Sequence, residues 1–286
     1  MKHLCTVSDN NYLLQGLALY ESLKRHTSDF VLHYYCIDEK TYEVLVGKKI
    51  ENLKVYRVEE LILEDERLGH LRSTEYPYFC WCLASYISNR LLHLNDEPIT
   101  YIDSDIYFHK NIDIILDEIG NRDVGIFRHR QFSLTTHHIE GHYNVGIVHF
   151  KNTNQGREVS DWWADAVLYK KYPQYATCGD QKYLDHFPIM CPPDRIYIDE
   201  NIGHGAPWLW QIYHFLGDGK IKWKNHIQDL IFTHFSKFFY NGDSYIGCVT
   251  HHCYTPLSEY TNNPHLKSIY DEYYGELNNI NEKYIK

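Results

Sequence analysis

The sequence predicts an α/β protein built on a largely parallel sheet, and three observations support that reading. Over the first hundred residues, apolar runs of strand length alternate with longer segments of helical period. The chain opens with a strand, a turn and a helix, the start of a βαβ unit. The stretch Thr100-Tyr101-Ile102-Asp103-Ser104-Asp105-Ile106-Tyr107-Phe108 then sets two carboxylates one residue apart between two apolar runs. A core strand with two acids either ends there or meets a cation, because unpaired buried carboxylates are costly and a divalent ion is the usual remedy. In open α/β sheets ligands bind outside the carboxyl ends of strands, which is where Asp103 falls.

Residues 2–8 read as the first strand. Ser8 or Asp9 is expected to cap the helix that follows, in which Leu13, Leu17 and Tyr20 form a stripe with Leu14 beside it. Asp9, Asn11 and Tyr12 lie in the turn between them. They suit hydrogen bonding and stacking on a base, or equally a cap and a packed tyrosine. Residues 30–37 and 53–58 read as strands, 40–49 as a short helix and 59–72 as helix or loop. Residues 78–94 have the length and apolar content of a buried helix, with Pro77 where a first turn tolerates it. The strand over 98–103 follows.

After the Asp-x-Asp the pattern loosens. Residues 123–127 form a short strand, and 128–142 hold Arg128, His129, Arg130, His137, His138 and His142 without an apolar period, which predicts a loop. Residues 143–150 read as a strand in which Asn144 and Gly146 break the apolar run, and such a glycine marks a bulge or a close backbone approach. An amphipathic helix covers 155–171, and 177–182 open another with Asp180 in its first turn. Residues 201–208 are too rich in glycine and proline for regular structure. With Trp208 and Trp210 they suggest an acceptor platform or a structural turn. Residues 230–235 read as a late strand bearing His234, and from about 265 the chain is a tyrosine-rich helical tail. The expected division is one domain over 1–250 and that tail over 251–286.

Composition limits the partners. The chain has 286 residues, 23% charged and 44% hydrophobic, with a formal net charge of −10. That balance argues against nucleic acid and against a purely electrostatic membrane anchor. There is no charged segment leading into an apolar one at the N-terminus and no run of about 18 apolar residues, so a cytoplasmic protein with reduced thiols is expected. The aromatic tail leaves peripheral contact with a membrane surface open. Aromatic residues reach 15%, including 26 tyrosines, which suits stacking surfaces as well as a tyrosine-rich core. Among eight cysteines, Cys80-x-Cys82 is too close for a common zinc knuckle. Cys248, His251, His252 and Cys253 offer a zinc set of no standard spacing.

Five pieces, in order, resemble the GT-A glycosyltransferases that use nucleotide-diphospho-sugars. The likeness is to the retaining hexosyl- and galactosyltransferase family that includes bacterial lipooligosaccharide galactosyltransferases and glycogenin. Thr6-Val7-Ser8-Asp9-Asn10-Asn11-Tyr12 resembles the opening strand and base-binding turn. Tyr101-Ile102-Asp103-Ser104-Asp105 resembles the metal motif, and Tyr143-Asn144-Val145-Gly146-Ile147 the Asn-x-Gly strand. Gly179-Asp180-Gln181 resembles the Asp-Gln helix start, and His234-Phe235-Ser236-Lys237 the late histidine motif. The resemblance implies a GT-A, Rossmann-like, mostly parallel sheet flanked by helices, a smaller acceptor-side region and a helical C-terminal tail. It implies Mn²⁺ or Mg²⁺ on Asp103, Asp105 and His234, and a UDP-sugar donor. Thr6, Asp9, Asn11, Tyr12 and Ser104 would contact the nucleotide, Asp9 and Tyr12 at the base and Asn11 at the ribose. Lys237 would neutralise the diphosphate, with Arg128 as added positive charge. Asn144, Asp180 and Gln181 would line the sugar and the reaction centre. The implied acceptor is a hydroxyl of a glycan or glycolipid.

Two departures stand out. The family's usual His-x-x-Gly-x-x-Lys-Pro-Trp ending is absent after His234. The helix before the metal strand, which often supplies a phosphate-binding arginine, reads Tyr78-Phe79-Cys80-Trp81-Cys82. Residues 128–142 and 203–208 are where sugar and acceptor choice is expected. Two other readings remain: a nucleotidyltransferase, which normally needs the glycine-rich phosphate loop this chain lacks after its first strand, and a carbohydrate-binding protein without turnover.

Overall fold

The structure, a computed structural model, describes residues 1–130, 134–246 and 263–286. Cys248, His251, His252 and Cys253 lie outside the described residues. The strands in chain order are β1 (Lys2–Ser8), β2 (Phe30–Cys36), β3 (Leu53–Arg57), β4 (Ile99–Ile102), β5 (Ile106–Phe108), β6 (Val124–Arg128), β7 (Tyr143–Phe150), β8 (Ile196–Ile198), β9 (His204–Gly205), β10 (His214–Gly217), β11 (Lys220–Trp223), β12 (His226–Asp229), β13 (Phe232–His234), β14 (Phe239–Tyr240) and β15 (Tyr245–Ile246). The chain divides into two compact units. One comprises Met1–Asn11, Asp29–Asp103 and Asp117–Glu200; the other comprises Tyr12–Ser28, Ser104–Leu116 and Asn201–Lys286.

The first unit is built on a seven-stranded sheet of order β3-β2-β1-β4-β7-β6-β8. β1 is parallel to β2 and β4, β2 to β3, and β6 to β8. β7 alone runs against its neighbours β4 and β6. β2 is buried at every position, as a central parallel strand covered on both faces should be. The helix Tyr76–Leu94 has Pro77 in its first turn, where the missing N–H has no partner to lose. Phe79, Leu83, Ile87 and Leu91, spaced by four, join the same core as Cys5, Tyr101 and Val148. The helix Asn154–Leu168 starts where the Thr153 hydroxyl accepts the Gly156 N–H, and it buries Trp163 and Val167.

Three local expectations change. Ser8 and Asp9 do not cap the first helix, which runs Leu13–His26; Ser8 ends β1 with its hydroxyl 2.6 Å from the Tyr34 hydroxyl, and Asp9 accepts from the Asn11 backbone instead. Residues 128–142 are not all loop, since Leu134–Glu140 is a helix. Apolar periodicity could not signal it, because tertiary partners take up its terminal carbonyls: Lys182 donates to the His138 carbonyl, Thr177 to Ile139 at 2.7 Å and Gln181 to Glu140 at 2.9 Å. The segment at 177–182 forms a 3₁₀ turn over Gln181–His186, entered through Gly179 at φ +52.

The second unit holds the helix Leu13–His26, whose Leu13, Leu17, Tyr20 and Leu23 are buried, and two three-stranded sheets, β5-β13-β9 and β10-β11-β12. β13 is antiparallel to β5 and parallel to β9. Asn263 caps the helix Pro264–Ile280, which buries Tyr270, Tyr273 and Leu277. Tyr273 stacks flat on Phe235, with ring centroids 3.7 Å apart. Trp208 and Trp210 are buried, contrary to an exposed acceptor platform: Trp208 meets His234 edge-on, and the Trp210 indole donates to the Tyr270 hydroxyl at 2.9 Å. The glycines of that segment serve close approaches, since a Cβ at Gly203 would stand 1.9 Å from the Asp229 carbonyl oxygen. Among the described residues no helix is long and apolar enough to cross a membrane.

Candidate active site

Topology gathers the polar residues of the first unit at one sheet edge. β1 and β4 are parallel neighbours, so Asp9 and Asp103 follow their carboxyl ends side by side. β7 and β4 run in opposite directions, so Asn144 and Gly146, near the start of β7, arrive at the same edge. Arg128 closes β6 opposite Tyr143, again at that edge. Adjacent strands lie about 5 Å apart, so β1, β4 and β7 spread these groups over roughly 10 Å.

The bulge expected at Gly146 is present. Pairing of β6 with β7 jumps between Ile126 and Phe127, and the Gly146 N–H donates to the Asn144 side-chain oxygen at 2.9 Å. The Gly146 carbonyl then accepts the Asp103 N–H at 2.9 Å, fixing the backbone where the strand yields its first carboxylate. That carboxylate accepts from the Tyr101 hydroxyl at 2.8 Å.

Asn144 also donates its amide to the Gln181 carbonyl at 2.8 Å, while the Gln181 amide donates to the Glu140 backbone carbonyl. Gln181 is thus held at both ends, which sets its orientation and its O and N assignment. Beside it, burial and then the Asp103 carboxylate push Asp180 well above the ordinary carboxylate range. The Asp180 main-chain carbonyl is anchored by the Trp163 indole N–H at 3.1 Å.

At the β1 end, the Asp9 carboxylate accepts from the Asn11 backbone at 2.9 Å and from its side chain at 3.0 Å, and the Asn10 N–H is held by Asp38 at 2.6 Å. Thr6 is fully buried within β1, and its hydroxyl has no hydrogen-bond partner among the described residues. Arg128 is half-buried, 4.0 Å from Glu200. Sequence reasoning missed the Glu140 main-chain carbonyl that holds Gln181, invisible to any reading of side chains. The Tyr76 hydroxyl is pushed up to about 12 by burial, then by Cys80 and by Asp9.

The second unit carries its own polar pair. β13 pairs with β5 so that His234 lies opposite Ile106, and the Phe235 N–H donates to the Asp105 carbonyl at 2.8 Å. This brings the buried His234 Nε2 to 3.0 Å from the Asp105 carboxylate, across a separation of 129 residues in sequence. Tyr12 is exposed beside the start of its helix. Tyr273 is raised well above its ordinary value by burial, then by Asp105, Tyr107 and Tyr12. Ser104 is buried, and Lys237 is exposed with a left-handed backbone at φ +56.

No family model matches the chain. It is similar to the uncharacterized protein YfnF of Bacillus subtilis (strain 168), 31% identical over 253 residues, covering 82% of this chain and 80% of that protein. It is also similar to the uncharacterized protein YfnD of the same organism, 26% identical over 250 residues, covering 82% and 78%. Among solved structures, mouse xyloside xylosyltransferase 1 in its apo form aligns at TM-score 0.55 and 14% identity, covering 82% of this chain and 98% of that one. The galactosyltransferase LgtC, in complex with donor and acceptor sugar analogs, aligns at TM-score 0.53 and 13% identity, covering 82% and 87%. The chain has the GT-A glycosyltransferase fold and belongs to the family of YfnF.

Proposed function

We propose that this protein is a metal-dependent glycosyltransferase that moves a hexose from a UDP-sugar to a hydroxyl of a glycan or glycolipid, with retention of configuration. The observation that supports it most is the order along one sheet edge: Asp9 after β1, Asp103 after β4, then Asn144 and Gln181 at β7. That order matches base, diphosphate and sugar in a nucleotide-sugar.

Asp103, Asp105 and His234 would hold the ion. Asp105 and His234 are 3.0 Å apart, and two peptide units bring Asp103 within about 7 Å of Asp105 between their Cα atoms. Two carboxylates and one imidazole suit Mn²⁺, with Mg²⁺ as the harder alternative. Bound there, such an ion acts as a Lewis acid on the phosphate oxygens. Asp9, Asn11, Tyr12 and Thr6 hold the base and ribose end, with Ser104 beside the diphosphate. Lys237 and Arg128 add positive charge to a chain that is acidic as a whole.

In the transfer, the bond from the anomeric carbon to the phosphate oxygen breaks as the acceptor oxygen bonds to that carbon. The acceptor's proton passes to the departing phosphate. Gln181, fixed by Asn144 and the Glu140 carbonyl, presents its amide oxygen as the polar stabiliser of the positive anomeric centre. No side chain need form a covalent bond, so attack comes from the face the diphosphate leaves. The test is release of UDP from a panel of UDP-hexoses in the presence of Mn²⁺. The expected result is turnover of one donor, abolished in Asp103→Ala and in Asp105→Ala; wild-type rates from either variant would sink the proposal.

A further inference from the structure

The helix Tyr76–Leu94 presents an unusual residue to this edge. Trp81 is 49% exposed, although most large aromatics of the unit are buried. A Cβ added at Gly179 would stand 2.7 Å from Trp81 Cδ2, 2.8 Å from Cε3 and 2.9 Å from Cγ. Near-equal distances to three bonded ring atoms, with the middle atom nearest, put the glycine over the face of the indole. Tyr78 meets the same ring edge-on, at 77° and 6.2 Å between centroids. One face is thus backed by peptide, and the exposed area belongs to the rest of the ring. Gly179 is followed directly by Asp180 and Gln181, at the β7 end of the edge and away from the base turn after β1.

From this placement we propose that Trp81 is a stacking platform for the hexopyranose ring of the acceptor. This deepens the donor reading above and rests on it. Pyranose rings carry one face of C–H groups, which pack on a flat π surface with little loss of entropy because the indole is already fixed. An indole is neutral, so it gives diphosphate none of the charge neutralisation that an arginine gives, and its position favours a neutral ring.

The test uses the full-length protein labelled with 5-fluorotryptophan, the Trp81 signal being identified by its loss in Trp81→Phe. Methyl glycosides of common hexoses are titrated in the presence of Mn²⁺ and UDP. The expected result is saturable movement of the Trp81 signal by at least one glycoside. The glycoside's Kd, read by calorimetric titration in wild type and variants alike, should rise roughly tenfold in Trp81→Ala and less in Trp81→Phe, which keeps a ring. If UDP binds but every glycoside leaves the Trp81 signal still, or if Trp81→Ala binds the glycoside as well as wild type, the platform is overturned while the donor site stands. If UDP fails to bind, the donor reading and the platform fall together.

Discussion

Asn144 is the residue on which most of the local geometry turns. Its side-chain oxygen takes the Gly146 N–H and its amide orients Gln181, so one side chain both shapes the bulge and fixes Gln181. Asn144→Ala leaves Gln181 tied only through its amide. We expect kcat to fall by roughly tenfold or more with donor KM changed less than about twofold, the pattern of lost positioning rather than lost binding. Equal losses in both constants would contradict this. Tyr273 gives a second test at this scale. Its hydroxyl is buried without a hydrogen-bond partner among the described residues, while its ring stacks on Phe235, next to His234. Tyr273→Phe should leave the urea midpoint unchanged or raised, and Tyr273→Ala should cost about 3 kcal/mol or more. The acids and Asn144 were legible in the sequence because a polar residue inside an apolar run needs a reason. Glu140 was not, because its contribution is a main-chain carbonyl whose partner lies 41 residues away.

At the scale of elements, reversal of a single strand makes the site. Were β7 parallel to β4, Asn144 and Gly146 would lie at the opposite edge from Asp103. Period-2 patterning identified β7 as a strand but carries no information on its direction, which emerges only from pairing. The helix Tyr76–Leu94 was legible from its stripe and proline, whereas the helix Leu134–Glu140 depends on side chains of 177–182 for its carbonyls and left no periodic trace. The turn at Gly179 joins these elements. Its left-handed φ and its seat on Trp81 both exclude a side chain, so Gly179→Ala should destabilise by about 1–3 kcal/mol in urea unfolding and lower transfer. An unchanged midpoint would mean that the turn and the indole give way freely. The loop at 201–208 went the other way: its Trp208, with Trp210 just after it, suggested binding, and both are buried in packing.

For the molecule as a whole, buried histidines set the acid limit. Burial holds His33 and His149 down at about 4 and His109 at about 3, against an ordinary value of 6.5. Between those values the unfolded chain binds more protons. Their contribution is therefore complete above about pH 6.5 and is lost as pH falls toward 4. The urea midpoint should drop from pH 7 to pH 5, and His149→Gln should show a shallower drop; parallel slopes would refute the assignment. The fold class was readable because alternation of strand and helix is a whole-chain property that survives local errors. The pairing of Asp105 with His234, by contrast, spans more than a hundred residues, and from the residues alone His234 was an ordinary strand histidine.

The central claim is that Asp103, Asp105 and His234 join UDP to the protein through a divalent ion. The most direct measurement is thermal stability against UDP, with and without Mn²⁺, in the wild type and Asp105→Ala. The account predicts stabilisation by UDP that requires Mn²⁺ and disappears in the variant. Stabilisation by UDP that is indifferent to both, or no shift with any combination, would contradict it and leave the Asp-x-Asp as the solvated end of a strand.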